Sequence, residues 1–172
     1  MLGLQETKVL LKDSIYAAVG IAAPVLERYP ELDFGHFLEN VLIQEVQISK
    51  PGYNILRRRA AIMLGQWLPI KEGVNRPLVY QIFRHLLDRN DPQNDEVVRV
   101  TAGRQLKNVI DPFEFAADAF QPYLPDIIDH MMGLIYEVDL PETKMALLNT
   151  MGVVVTKMER QVGRFPGPLE CN

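Results

Sequence analysis

Apolar positions along this chain recur at three- and four-residue intervals, and no run sustains the two-residue alternation of a half-buried strand. The pattern is clearest in Y-N-I-L-R-R-R-A-A-I-M-L-G-Q-W-L, residues 53–68. There Leu56, Ala60, Met63, Leu64 and Trp67 fall within a wedge about 100° wide on a helical wheel, while Arg58 points away from it and Arg57 and Arg59 flank it. The same periodicity predicts helices over Leu4 to Gly20, Phe34 to Gln47, Arg76 to Asp88, Asp95 to Ile110, Pro122 to Val138 and Glu142 to Gln161. Their boundaries carry the expected chemistry. Asp33 and Asp95 are good N-caps, and Pro77 and Pro141 stand in first turns, where a missing N–H costs nothing. Ser49-Lys50-Pro51-Gly52, Pro69 with Gly73, and Asp111-Pro112 are breaks, and Pro125 marks a bend or the true start of its helix. Phe113 to Phe120 reads as an irregular connection. The chain is therefore expected to be all-α, with residues 1–162 folded and the turn-rich tail 163–172, G-R-F-P-G-P-L-E-C-N, frayed.

The helices repeat. With Arg57 at position zero, Leu56 precedes it and Ala60, Leu64 and Trp67 follow at three, seven and ten. The same frame gives Val98, Ala102, Leu106 and Val109 around Arg99, then Thr143, Leu147, Met151 and Val154 around Lys144, and Leu11, Ile15, Val19 and Ala22 around Lys12. The four cations lie 45, 42 and 45 positions apart, and one further helix fits in each interval. Helix pairs of that period are the signature of HEAT-type repeats. The expected architecture is a short right-handed α-solenoid of about three and a half helical hairpins. The recurring cations, Lys12, Arg57, Arg99 and Lys144, together with Asp95 four residues before Arg99, are read as a structural ladder. In it each cation meets an acid or helix-end carbonyls in a neighbouring repeat. Arg58 has no such recurrence, since Asp13, Val100 and Met145 occupy its frame position. A residue that leaves the pattern and faces solvent is the better functional candidate, and Arg59 is intermediate.

Composition narrows the function without choosing it. The chain has 172 residues, 48% of them hydrophobic and 23% charged, as in a folded protein. Its net charge of −4 is too small for a general nucleic-acid or membrane-surface binder. Charge is nevertheless segregated: Ile48 to Arg89 holds eight Lys or Arg against two acids, and Glu114 to Asp139 holds six acids and no Lys or Arg. That asymmetry suits a protein offering different faces to different partners, or solvated helix faces clustered by chance. Cys171 is the one cysteine, which leaves no intramolecular disulfide or cysteine-based zinc site and suggests a reducing compartment. No window is long and apolar enough to span a bilayer.

Candidate chemistry is sparse. His36, His85 and His130 fall on three predicted helices with no paired spacing, and no phosphate-binding glycine loop or nucleophile elbow occurs. Asp126 and Asp129, one turn apart, read as acids on a solvated face. Trp67 sits in the apolar wedge as a core residue, and Met131, Met132, Met145, Met151 and Met158 read as gap-fillers or as a plastic groove. An enzyme is not expected, nor a metal or cofactor.

The runs Y-N-I-L-R-R-R-A-A-I-M-L-G-Q-W-L, R-P-L-V-Y-Q-I-F-R-H-L-L-D and V-V-R-V-T-A-G-R-Q-L-K-N-V-I-D-P-F-E-F resemble an importin-beta superfamily (karyopherin) receptor of the importin-eleven type, in its central repeats. The resemblance runs from about Leu10 to Gln161, and Met1 falls inside a repeat. It implies that the chain is a segment of a nuclear transport receptor whose second helices line a concave surface. The whole receptor would bind protein cargo there, bind the small GTPase Ran in its GTP form, and cross the nuclear pore through weak contacts with nucleoporins. It would thus move between nucleus and cytoplasm through the nuclear envelope. Ran-binding repeats lie mainly near the N-terminus of such receptors, so independent Ran regulation is not expected here. Arg58 and Arg59 become the candidate cargo-binding residues. The alternative is a HEAT scaffold outside transport, such as a phosphatase-type regulatory subunit. Neither direct nucleic-acid binding nor membrane insertion is expected.

Overall fold

A computed structural model of the chain describes residues 3–29, 31–112 and 115–162. In order, these residues form α1 (Leu4–Ile21), α2 (Ala23–Leu26), α3 (Phe34–Phe37), a π-helical turn (Leu38–Leu42), α4 (Ile43–Glu45), α5 (Tyr53–Trp67), α6 (Arg76–Leu87), α7 (Glu96–Ile110), α8 (Ala117–Phe120), a 3-10 turn (Gln121–Tyr123), α9 (Leu124–Glu137) and α10 (Pro141–Val162). No strand occurs among the described residues. The frayed tail expected at 163–172 lies outside them.

Local chemistry explains the starts. Asp33 accepts from the His36 N–H at 2.9 Å to open α3, Asn75 from Leu78 N–H at 3.3 Å to open α6, and Asp95 from Val98 N–H at 2.8 Å to open α7. The arginine helix α5 begins differently: Gly52 at its N-cap has φ of 86°, a left-handed turn that disfavours any side chain.

Helices α1, α5, α7 and α10 pack side by side in that order. Two contacts per pair fix their direction. Asp13 of α1 meets Arg59 of α5, and further on Gly20 approaches Gln66. Asn54 of α5 meets Asp95 at the start of α7, and Gly65 approaches Gln105. Gly103 of α7 approaches Leu147 of α10, and Asp111 meets Lys157. Early residues touch early ones and late residues late ones, so all four helices run parallel. The second layer holds α3 with its π-turn and α4, then α6, then α9, and α6 packs on both α7 and α9. This is a helical-hairpin solenoid. Between the layers lie Leu56, Ala60, Leu64 and Trp67 of α5, Val98, Ala102, Leu106 and Val109 of α7, and Leu147 and Val154 of α10, all at most 1% exposed. Trp67 stacks on Phe34 with ring centroids 4.5 Å apart and planes 5° from parallel.

Three expectations need correction. The repeat frame places Leu11 and Ile15 of α1 inside, yet they are 60% and 50% exposed, and α1 buries Val9 and Tyr16 instead. The inward face of α1 is set by Tyr16, packed edge-on against Phe37 with ring centroids 5.4 Å apart, and by Lys12 one turn earlier, which meets Glu45, so Leu11 and Ile15 fall off that face. The Phe34 to Gln47 helix passes through a wide π-turn and ends at Glu45, and within that turn Asn40 donates to the His36 carbonyl at 3.0 Å. The stretch ending at Phe120 is not wholly irregular: α8 runs through the 3-10 turn into α9, pinned by Phe115 and Phe120 packed edge-on against Tyr80 at 6.3 and 5.0 Å.

Candidate binding surface on the parallel helices

Arg57 is 0% exposed, although it belongs to a run of three arginines. Its Nη1 donates to Asn94 Oδ1 at 2.7 Å and lies 2.8 Å from Asp91 Oδ2, both in the loop between α6 and α7. Asn94, itself buried, donates to the carbonyls of His85 and Asp88 at 2.6 and 3.0 Å, and its own carbonyl accepts from Arg99 Nε at 3.2 Å. His85 Nε2 donates to the Val46 carbonyl at 3.0 Å. One asparagine thus joins α5, the end of α6 and the start of α7. The network is not complete, since the buried Arg57 Nε has no hydrogen-bond partner among the described residues.

The other cations make comparable contacts. Lys12 Nζ reaches Glu45 at the end of α4, and Arg99 Nη1 reaches Glu137 at the end of α9 at 2.6 Å. In each of the three cases the cation comes from one long helix and meets the end of the following unit's first helix, or the loop just after it. Lys144 has no ion pair among the described residues, and Asp95 caps α7 while accepting from Asn54 at 2.8 Å. The electrostatics follow the geometry. Burial pushes the Asp91 carboxyl up, but the Gln93 N–H and the Arg57 guanidinium outweigh it and hold Asp91 below the usual carboxylate range. Glu137 is held low chiefly by its hydrogen bond from Arg99, and Lys12 is raised chiefly by Glu45.

Arg58 and Arg59 part company. Arg59 makes a two-pronged contact with Asp13, Nε to Oδ1 at 2.7 Å and Nη2 to Oδ2 at 3.2 Å, and is half-buried. Arg58 is exposed and has no ion pair among the described residues. It borders a cavity of about 250 Å³ that Asp13, Ile55, Ile62, Asp95 and Val97 help to line, between the first halves of α5 and α7.

Among the described residues, the basic and acidic stretches meet at two exposed ion pairs. Arg84 and Arg89 from the basic stretch meet Asp126 and Glu137 from the acidic one at 3.2 and 3.6 Å. His85 and His130, far apart in sequence, share a cavity of about 390 Å³ with Asp88 and Asp126 between α4, α6 and α9, and no cluster among the described residues could hold a metal. Sequence reasoning missed Asn94 and Asp91. The available signal was the asparagine immediately before the N-cap Asp95, a position from which an amide reaches both flanking helices.

No protein-family model matches the chain. It is 34% identical over 162 residues, 94% of its length, to Importin-11 of Homo sapiens, and 29% identical over 160 residues to Importin beta-like protein KAP120 of Saccharomyces cerevisiae. The chain spans 16% and 15% of the lengths of those two relatives. Its fold superimposes with a TM-score of 0.76 and 28% identity on the structure of Lph2, described as a bidirectional nuclear transport receptor in S. cerevisiae, over 88% of this chain and 15% of that one. The repeat period, the parallel stack and these matches together place the chain in the importin-beta superfamily of nuclear transport receptors.

Proposed function

We propose that the chain serves as a cargo-contacting stretch of a nuclear transport receptor, with the open face of its parallel helices as the contact surface and Arg58 as its leading cation. The observation that carries this reading is the 34% identity to Importin-11 along nearly the whole chain. In a complete receptor that surface would hold protein cargo, Ran in its GTP form would alter cargo affinity, and nucleoporin contacts would let the receptor cross the pore between cytoplasm and nucleus. Arg59 then serves to fix the surface through Asp13 rather than to touch cargo, because both carboxylate oxygens already occupy its guanidinium. Lys12, Arg57 and Arg99 would act as the ladder that sets the register of successive units.

A hybrid receptor provides the test, with this chain replacing the matching stretch of Importin-11. The hybrid should enter nuclei of permeabilised cells and retain proteins from extract that GTP-locked Ran alters. A hybrid that folds yet shows no nuclear entry and no Ran-sensitive partners would refute the transport reading.

A further inference from the structure

Resting on that cargo-contact reading, we infer that the open face of the parallel layer takes a partner segment that is both acidic and apolar, and disfavours a basic one. Each long helix turns one stripe of side chains to solvent at spacings of three and four: Leu11, Ser14 and Ala18 on α1, Ile55, Arg58 and Ile62 on α5, Val97, Thr101, Arg104 and Asn108 on α7, and Met145, Asn149, Gly152 and Thr156 on α10. The four helices are parallel neighbours, so the stripes form one continuous surface. Its exposed large side chains are mostly apolar: Leu11, Ile55, Val97 and Met145 are 60%, 37%, 56% and 65% exposed. Scattered apolar residues on a surface need no explanation, but a run of them across four adjacent helices marks an interaction site.

Charge selects the partner. On the two central stripes the charged residues are Arg58 and Arg104, both exposed and neither in an ion pair among the described residues. Asp13 and Asp95, which border the same cavity, are already engaged, Asp13 by Arg59 and Asp95 by Asn54 and the Val98 N–H. The α5 and α7 contacts align position 54 with 95 and 65 with 105, so Arg104 sits about five residues further along than Arg58, on the next helix. At a rise of about 1.5 Å per residue and a helix spacing of about 9 Å, the two cations start roughly 12 Å apart. A Lys- or Arg-rich segment would meet Arg58 and Arg104 as unpaired like charges, with Asp13 neutralised by Arg59 and the Asp95 oxygens already taken up by hydrogen bonds. A segment alternating carboxylates with aliphatic side chains would neutralise both arginines and fill the cavity lined by Ile55, Ile62 and Val97.

Fluorescein-labelled peptides built from Leu and Asp, from Leu and Lys, and from Ser and Asp, titrated against the full chain and followed by anisotropy, supply the test. The Leu/Asp peptide should bind on the order of tenfold tighter than the Leu/Lys peptide and tighter than the Ser/Asp peptide, with affinity falling as salt rises. Arg58→Glu combined with Arg104→Glu should reverse the Leu/Asp and Leu/Lys order, Val97→Asp should weaken the Leu/Asp peptide, and Lys50→Glu should change nothing. Circular dichroism checks each variant, and Arg58→Gln carries the test if the double variant unfolds. Equal or tighter Leu/Lys binding, or an unchanged order in a folded variant, overturns the inference. Such a failure with a Ran-responsive hybrid receptor discards only the partner chemistry. Loss of nuclear entry with the peptide order intact discards instead the transport reading.

Discussion

Adjacent arginines with the same side chain are expected to fail in opposite ways. Arg57→Ala strips a buried cation from Asp91 and Asn94, and breaking such a pair should cost about 3 kcal/mol in denaturant melts. Arg58→Glu changes a solvated residue and should stay within about 0.5 kcal/mol of the parent. Equal losses would show that both arginines are structural. The carboxylates facing the cations make a second prediction. Asp91 and Glu137 have folded pKa values below their unfolded ones, so the stability they confer is present above about pH 4 and is lost as pH falls through the folded values. The melting temperature should therefore drop steeply on acidification below about pH 4. Asp91→Asn should lower it at neutral pH while flattening that drop, and a variant with an undiminished acid slope would remove Asp91 from the account. Arg57 stood out in the sequence because a cation recurs in its frame at intervals of 45, 42 and 45 residues. Asn94 was harder to read, since a loop amide that donates to two carbonyls and accepts from one guanidinium has no periodic signature, and the packed helix ends reveal what it serves.

Close approach of neighbouring helices rests on glycine. A Cβ at Gly103 would lie 2.6 Å from Leu147 Cδ2 and 3.0 Å from Met131 Sδ, both within the core, whereas a Cβ at Gly152 would meet nothing within 4 Å. Gly103→Ala should thus be destabilising by about 1 to 3 kcal/mol through overpacking. Gly152→Ala should stabilise by about 0.5 to 1 kcal/mol through helix propensity alone. Thermal melts of the two variants settle the matter, and stabilisation by both would mean the α7–α10 contact is looser than described. Elements of this kind were readable where period and punctuation agreed: α5, α6 and α7 begin and end within a residue or two of their expected limits. Reading failed where tertiary packing overrode local pattern. Tyr16, packed on Phe37, takes the inward face of α1 and leaves Leu11 and Ile15 outward, the π-turn in the second layer has no marker in its residue types, and α8 owes its helical turn to the aromatic cluster around Tyr80.

At the scale of the molecule, the two outer long helices differ from the inner ones. Leu10, Leu11, Ile15 and Ile21 on α1 and Met145, Leu148 and Val155 on α10 are all more than 40% exposed, while Val154 is buried. Exposed apolar surface at both sides of a stack favours self-association. Sedimentation of the isolated chain should show mass rising with concentration, and Leu11→Lys with Leu148→Lys should restore a monomer. A clean monomer for the parent at high concentration would count against that. The joints between units are also unequal. The ties of α1 to its neighbours, Lys12 to Glu45 of α4 and Asp13 to Arg59 of α5, are partly open to water, which screens them and lets them exchange. Between α5 and α7 the exposed Asn54–Asp95 bond is backed by Arg57 on Asn94, sealed from solvent and anchored to carbonyls of the α6 end. The α5–α7 joint is therefore expected to be the stiffer of the two, so that a load which opens or tightens the curvature there is taken up first between α1 and α5.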